Sequence, residues 1–122
     1  MSGSDIEHVC DILECIEAIE RAEATVQRYQ GDLDVARVAL DAVRHRVFTI
    51  GEEVESLSLE MCEDHPAVAW SDMARLGDLI GSPYDRLDPN TVRATIGESV
   101  KQLGSACRAI LAESARVGED EP

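Results

Sequence analysis

Apolar residues recur at alternating steps of three and four along most of this 122-residue chain, and this spacing constrains the fold more than any other feature. It places apolar side chains on one face of an α-helix, whereas a half-buried strand alternates at every second residue. Aromatic residues make up only 3% of the chain, which disfavours a β-sandwich or barrel. The sequence therefore predicts an all-α protein with an aliphatic core. The most regular stretch comprises Val43, Val47, Ile50, Val54, Leu57 and Met61.

The first two helices are bounded by recognisable start and stop residues. Ser4 opens a capping-box pattern, so it is expected to be the N-cap of the first helix, and Gly31 is expected to end that helix. Asp32 or Asp34 is expected to cap the second helix, whose apolar spacing continues to Met61. The stripe predicted to face the core from the first helix consists of Ile6, Val9, Leu13, Ile16, Ile19 and Val26.

Two further helices follow a break near Pro66. The third is expected to end before Pro83, which lacks a backbone donor and restricts the residue before it. Asp88 and Pro89 then form an N-cap followed by proline at the first helical position, so they predict the start of the fourth helix. Its predicted core stripe is Val92, Ile96, Val100, Leu103, Cys107 and Ile110.

Four helices with short connections favour an antiparallel four-helix bundle. We expect one helical-bundle domain over residues 1–115 and a flexible acidic tail over residues 116–122. The apolar stripes exceed what one thin bundle has to hide, which favours a homodimer. Ile12 and Val35 lie off the main stripes and are the candidate interface residues.

The charge balance excludes several classes of partner. Lys and Arg total 11 against 25 Asp and Glu, a formal net charge of -14, so long-range attraction to DNA or to anionic lipid is not expected. The sequence shows neither an apolar run of about 20 residues nor a signal-peptide pattern, so we expect a cytoplasmic protein.

The cysteines and histidines do not have the spacing of a metal site. No CxxC pair occurs, and the four cysteines are interpreted as small reduced core residues. The three histidines are scattered and are interpreted as surface or packing residues. We therefore expect no metal and no cofactor. The residues concerned are Cys10, Cys15, Cys62, Cys107, His8, His45 and His65.

Four short motifs, in order along the chain, carry a resemblance to a known family. They are residues 11–16 (DILECI), residues 50–53 (IGEE), the pair Pro66 and Trp70, and residues 84–89 (YDRLDP). Together they resemble the HepT-like toxins of the HEPN superfamily, which belong to toxin–antitoxin pairs of the HepT/MntA type. The resemblance extends roughly over residues 6–112. It implies the HEPN helical bundle, of the type found in nucleotidyltransferase substrate-binding subunits.

The family's catalytic signature, Arg-x4-His-x-Tyr, is incomplete in this chain. When the signature is aligned on Tyr84, Gly77 stands at the arginine position and Ser82 at the histidine position. Shifting the frame to Arg75 does not restore it, because the residue five positions later is an isoleucine. The resemblance thus implies a catalytic frame of Gly77, Ser82 and Tyr84 that is degenerate or inactivated. Arg75 and Arg86 are the possible phosphate contacts near it.

The resemblance also implies a partner and a modification. In the family, a minimal nucleotidyltransferase antitoxin adds AMP to the tyrosine at the position of Tyr84 and silences an endoribonuclease toxin. Two alternatives remain open: a non-catalytic helical binding or scaffold module, and an active metal-independent ribonuclease with an unusual site. At a net charge of -14, RNA has to be held by local cations against an unfavourable overall field, which favours the binding roles.

Overall fold

The computed structural model describes residues 3–80 and 89–120, without the side chains of residues 76–80, 89–92, 95 and 118–120. Within these ranges the regular structure is entirely helical, which confirms the predicted all-α class. Four long helices correspond to the predicted bundle, and a short fifth helix lies between the second and third of them. The elements are α1 (Gly3–Arg28), α2 (Leu33–Glu55), α3 (Leu59–Asp64), α4 (Trp70–Ile80) and α5 (Pro89–Asp120).

The turn between α1 and α2 follows the predicted local signals. Gly31 has a φ of 88°, a left-handed conformation that glycine adopts without a Cβ clash. Asp32 is the N-cap of α2, and its carboxylate accepts hydrogen bonds from the backbone N–H groups of Asp34 and Val35 at 3.0 and 3.2 Å. Of the two aspartates considered as caps, Asp32 is therefore the one used.

The prediction that the second helix continues to Met61 is wrong. Helix α2 ends at Glu55, and Ser58 is the N-cap of α3. The side-chain oxygen of Ser58 accepts a hydrogen bond from the backbone N–H of Met61 at 3.1 Å. Leu57 and Met61 are nevertheless buried, because the chain turns while both side chains still point into the core. The apolar spacing therefore continues across a break in the backbone, which periodicity alone does not detect.

The buried face of α1 is wider than the predicted stripe. Helix α1 begins at Gly3, so Ser4 lies inside the helix and the predicted cap at Ser4 is wrong. Ile12 is 0% exposed, and Cys15 is also buried. The assignment of Ile12 to a dimer interface is therefore wrong. The physical reason is that α1 packs against both α2 and α5, so two of its faces are covered.

Helix α1 runs antiparallel to α2 and packs closely against α5. Against α2, His8 contacts Glu53 and Cys15 contacts Arg46, so residue numbers rise along one helix as they fall along the other. Against α5, the backbone at Gly104 lies so close to α1 that an added Cβ would be 3.3 Å from Cγ2 of Ile16. Glycine thus permits this close approach.

Helix α5 supplies the core residues that its spacing predicts. The buried ones are Ile96, Val100, Leu103, Cys107 and Ile110, and the side chain of Val92 lies outside the described part of the chain, as does Asp88. The helix continues to Asp120 and so includes most of the segment for which a tail was expected. Fraying of residues 116–122 stays a prediction. None of the described helices is long and apolar enough to cross a bilayer.

Candidate functional site

Helix α4 contains Gly77, the first position of the predicted catalytic frame, and buried side chains fix the start of this helix. The indole of Trp70 is buried, and its Nε1 donates a hydrogen bond to the carbonyl of His65 at 3.1 Å. Met73, one turn later, is buried as well. These contacts hold the loop before α4 against the core. They place Gly77 about two turns after Trp70, in the last part of the helix.

The other positions of the frame lie outside the described residues. Ser82, Tyr84 and Arg86 all fall between residues 81 and 88. Their assignment to the frame and to phosphate contacts therefore stays a prediction. Within the described residues, the backbone of Gly77 is helical, as the motif alignment predicts for a position near the end of the third long helix.

Arg75 does not occupy the face on which position 77 lies. The two residues are two positions apart, which is about 200° around a helix. The Arg75 side chain is 73% exposed, and its Nη2 donates to Oδ1 of Asp72 at 2.8 Å. An exposed ion pair of this kind contributes little to stability. To bind a phosphate group, the Arg75 guanidinium would have to break its hydrogen bond with Asp72.

The groove beside α4 lacks the chemistry of an anion site. It has a volume of about 490 Å³ and lies between α4, the loop before it and α5. Its described lining contains the carboxylate of Asp72 and no lysine or arginine. A phosphate group would therefore meet repulsion there rather than attraction. The described lining residues are Ala67, Val68, Ala69, Asp72, Met73, Ser99, Gln102, Leu103 and Ala106.

Two cations of α5 face acidic residues of α1. Nη2 of Arg108 lies 3.2 Å from Oε1 of Glu20, and Nε of Arg93 lies 3.6 Å from Oε1 of Glu23. These contacts cross from one helix to the other, so they offset positive charge that could otherwise attract RNA. The two arginines therefore lie in ion pairs across the α1–α5 contact and do not form an open basic cleft among the described residues.

Three of the four cysteine thiols have raised pKa values, which makes them less reactive. Burial raises the pKa of Cys107 to about 12, and burial also raises the pKa values of Cys15 and Cys62. A thiol that stays protonated at neutral pH is a poor nucleophile, so these residues act as packing groups, as the sequence predicts. Cys10 is exposed, so its assignment to the core is wrong, and all four cysteines are free thiols.

Sequence reasoning missed two contacts of α1, one with the start of α3 and one with the last turn of α2. The Asp5 carboxylate is buried and accepts hydrogen bonds from the N–H and the hydroxyl of Ser58 at 2.9 and 2.6 Å. His8 and Asp11 lie with Glu53 in a group whose donor atoms are all within 4.8 Å of one another. The spacing of His8 and Asp11 is visible in the sequence. Their nearness to Glu53 depends on the register of the two helices.

Comparison with known proteins identifies the family. The model of the family described as "Ribonuclease HepT-like" matches residues 12–110. A protein of Methanocaldococcus jannaschii, named as a gamma-glutamylcyclotransferase and provisionally as an RNase, is 28% identical over 102 residues, which are 84% of this chain. The matched region is 45% of that protein's length. No solved structure matches the chain significantly. Because the family model covers most of the chain, this protein belongs to the ribonuclease HepT-like family.

Proposed function

We propose that this chain is the HepT-like toxin component of a toxin–antitoxin pair with a minimal nucleotidyltransferase antitoxin, and that its endoribonuclease site is inactive. The observation that carries the proposal is the family match over residues 12–110, which includes the whole catalytic frame. Within that frame the arginine and histidine positions hold Gly77 and Ser82.

The chemistry of RNA cleavage explains why these two residues matter. Cleavage without a metal ion requires a group that moves a proton from the 2′-hydroxyl and a cation that stabilises the charged phosphorane. Histidine titrates near neutral pH and arginine binds phosphate oxygens through two parallel donors. Ser82 is not a base at neutral pH, and Gly77 has no side chain to donate. The frame thus lacks both the proton-transfer group and the phosphate-binding cation.

The charges of the described residues support the same conclusion. The Arg75 guanidinium is paired with Asp72, and the groove beside α4 contains a carboxylate. The overall charge of -14 opposes the approach of RNA. The test is RNA cleavage by the purified protein beside the variant Gly77→Arg/Ser82→His. Cleavage by the variant alone supports the proposal, whereas cleavage by the unmodified protein contradicts it.

Tyr84 is the proposed acceptor of AMP. Incubation with a minimal nucleotidyltransferase, Mg²⁺ and labelled ATP is expected to label the protein, with the phenol oxygen attacking the α-phosphorus and pyrophosphate leaving. The expected product gains one AMP in its mass spectrum, and Tyr84→Phe is expected to abolish the label. Tyr29→Phe is the matched control, because Tyr29 is exposed at the end of α1 and far from Tyr84 in the sequence. Equal labelling of Tyr84→Phe contradicts the proposed acceptor.

The exposed apolar face of α2 favours the proposed homodimer. Val38 is 70% exposed and borders a shallow groove of about 380 Å³ that is lined mainly by apolar side chains of α1 and α2, including Val35. A surface of this kind gains free energy when a second copy covers it. With Ile12 inside the core, Val35 and Val38 are the residues that we assign to the interface.

The substitution Val38→Asp is expected to convert the dimer to a monomer, because it places a charge in the apolar contact. Light scattering at micromolar concentration should give twice the monomer mass for the unmodified protein and the monomer mass for the variant. Val117→Asp is the control, since Val117 is exposed near the end of α5. A monomeric unmodified protein contradicts the homodimer. A monomer that neither cleaves RNA nor accepts AMP favours the scaffold alternative.

A further inference from the structure

We propose that His8, Asp11 and Glu53 form a binding site for a first-row divalent cation of the Zn²⁺ type at the α1–α2 contact. The three side chains come from two helices, and their donor atoms all lie within 4.8 Å of one another. Nδ1 of His8 lies 2.5 Å from Oε2 of Glu53. The three residues lie on α1 and α2 and are not part of the predicted catalytic frame, so the inference does not depend on RNA cleavage.

The spacing of the donors suits a metal ion after small side-chain movements. His8 and Asp11 are three residues apart on α1, so they share one face of the helix. Zn²⁺ binds nitrogen and oxygen ligands at about 2.0–2.2 Å, which puts two ligand atoms of a tetrahedral ion about 3.4 Å apart. The His8–Glu53 separation of 2.5 Å is shorter than that value, and none of the separations among the three residues exceeds 4.8 Å. The Asp11 side chain is exposed and free to rotate toward the ion, and solvent can supply the fourth ligand.

Neighbouring contacts hold the two helices in the register that the site needs. On one side of the cluster, Asp5 binds the N–H and the hydroxyl of Ser58. On the other side, Nη1 of Arg46 lies 3.9 Å from Sγ of Cys15. The backbone positions under the three donors are therefore set before a cation arrives. Such preorganisation lowers the entropic cost of binding.

The charge and the donor types select the class of cation. Two carboxylates and a neutral imidazole carry a charge of about -2, which a divalent ion neutralises. The imidazole nitrogen favours Zn²⁺, Ni²⁺ or Co²⁺ over Mg²⁺ and Ca²⁺, which prefer oxygen donors throughout. Without a cation, the same groups form a hydrogen-bonded His8–Glu53 pair, and metal binding replaces that contact with two bonds to the ion.

The test is calorimetric titration of the metal-free, reduced full-length protein with ZnCl₂. One Zn²⁺ is expected to bind per chain, and the melting temperature is expected to rise with Zn²⁺ concentration because only the folded state holds the site. His8→Ala is expected to weaken binding at least 100-fold, since changes in supporting residues alone cost about 10–100-fold. His45→Ala, which removes an exposed histidine from the same helix pair, should change the affinity less than 2-fold.

A second variant tests the site even if the His8→Ala protein does not fold. Asp11 is exposed, so Asp11→Asn should leave the fold intact and still weaken Zn²⁺ binding at least 10-fold, whereas Asp41→Asn should not weaken it. Co²⁺ binding should give weak visible bands without a near-ultraviolet thiolate band. Equal affinity in Asp11→Asn and Asp41→Asn, a thiolate band, or no saturable Zn²⁺ binding at 1:1 stoichiometry overturns the proposal.

Discussion

The variant Gly77→Arg/Ser82→His is expected to cleave RNA at least ~10²-fold faster than the unmodified protein. Each group typically supplies on the order of 10²–10⁴ in rate, the histidine by proton transfer and the arginine by stabilising charge on the phosphate. The measurement is the initial rate of cleavage of a labelled single-stranded RNA, resolved on a gel in the presence of EDTA. Each single variant should remain far below the double variant, because groups that act together are not additive.

A matched control separates restored chemistry from added charge. Gly97→Arg/Ser105→His introduces the same residue types on α5, where an added Cβ at Gly97 meets no atom within 4 Å and Ser105 is exposed. This control should cleave no faster than the unmodified protein. Circular dichroism must show that the restored variant is helical. A folded restored variant that does not cleave RNA refutes the assignment of positions 77 and 82 to the frame.

Asp5→Ala is expected to lower the free energy of unfolding by about 3 kcal/mol. The Asp5 side chain is 2% exposed and accepts two hydrogen bonds from Ser58, so its removal leaves the half-buried N–H and hydroxyl of Ser58 without this acceptor and opens a cavity in the core. The same contact ties the start of α1 to the turn between α2 and α3. The measurement is a urea denaturation curve followed by circular dichroism at 222 nm.

Two further variants define the origin of that loss. Asp5→Asn keeps one acceptor oxygen and should cost less than Asp5→Ala. Asp41→Ala, at an exposed position of α2, should stay within about 0.5 kcal/mol of the unmodified protein. A loss below about 1 kcal/mol for Asp5→Ala contradicts the role assigned to this contact.

Local signals were sufficient to predict much of the helix order and several helix ends. Gly31 and Asp32 act within a few residues of themselves, one through its left-handed conformation and the other through its cap, so their roles can be read from the chain. The apolar stripe of α5 was correct for the same reason, because a single face of that helix is buried. The assignment of Gly77, Ser82 and Tyr84 to the motif frame also rests on residue order alone, and it stays a prediction.

The break between α2 and α3 and the burial of Ile12 were not predictable from periodicity. Leu57 and Met61 keep the spacing of a continuous helix, yet a new helix, α3, begins after Ser58. The hydroxyl of Ser58 donates a hydrogen bond to Asp5 of α1. Ile12 lies off the stripe read for α1 and is still fully enclosed, because a second helix covers that side. Both outcomes depend on neighbours that are distant in sequence.

The sequence by itself determined the all-α class, the turn at Gly31 and Asp32, and the resemblance to the ribonuclease HepT-like family. These features arise from local backbone preferences, helical periodicity and residue order. Only the tertiary structure decided which sides of α1 are buried, that Asp5 binds Ser58, and that His8 and Asp11 meet Glu53. Each of those contacts requires the register between α1 and α2, which is set when both helices pack together and bury their shared apolar surface.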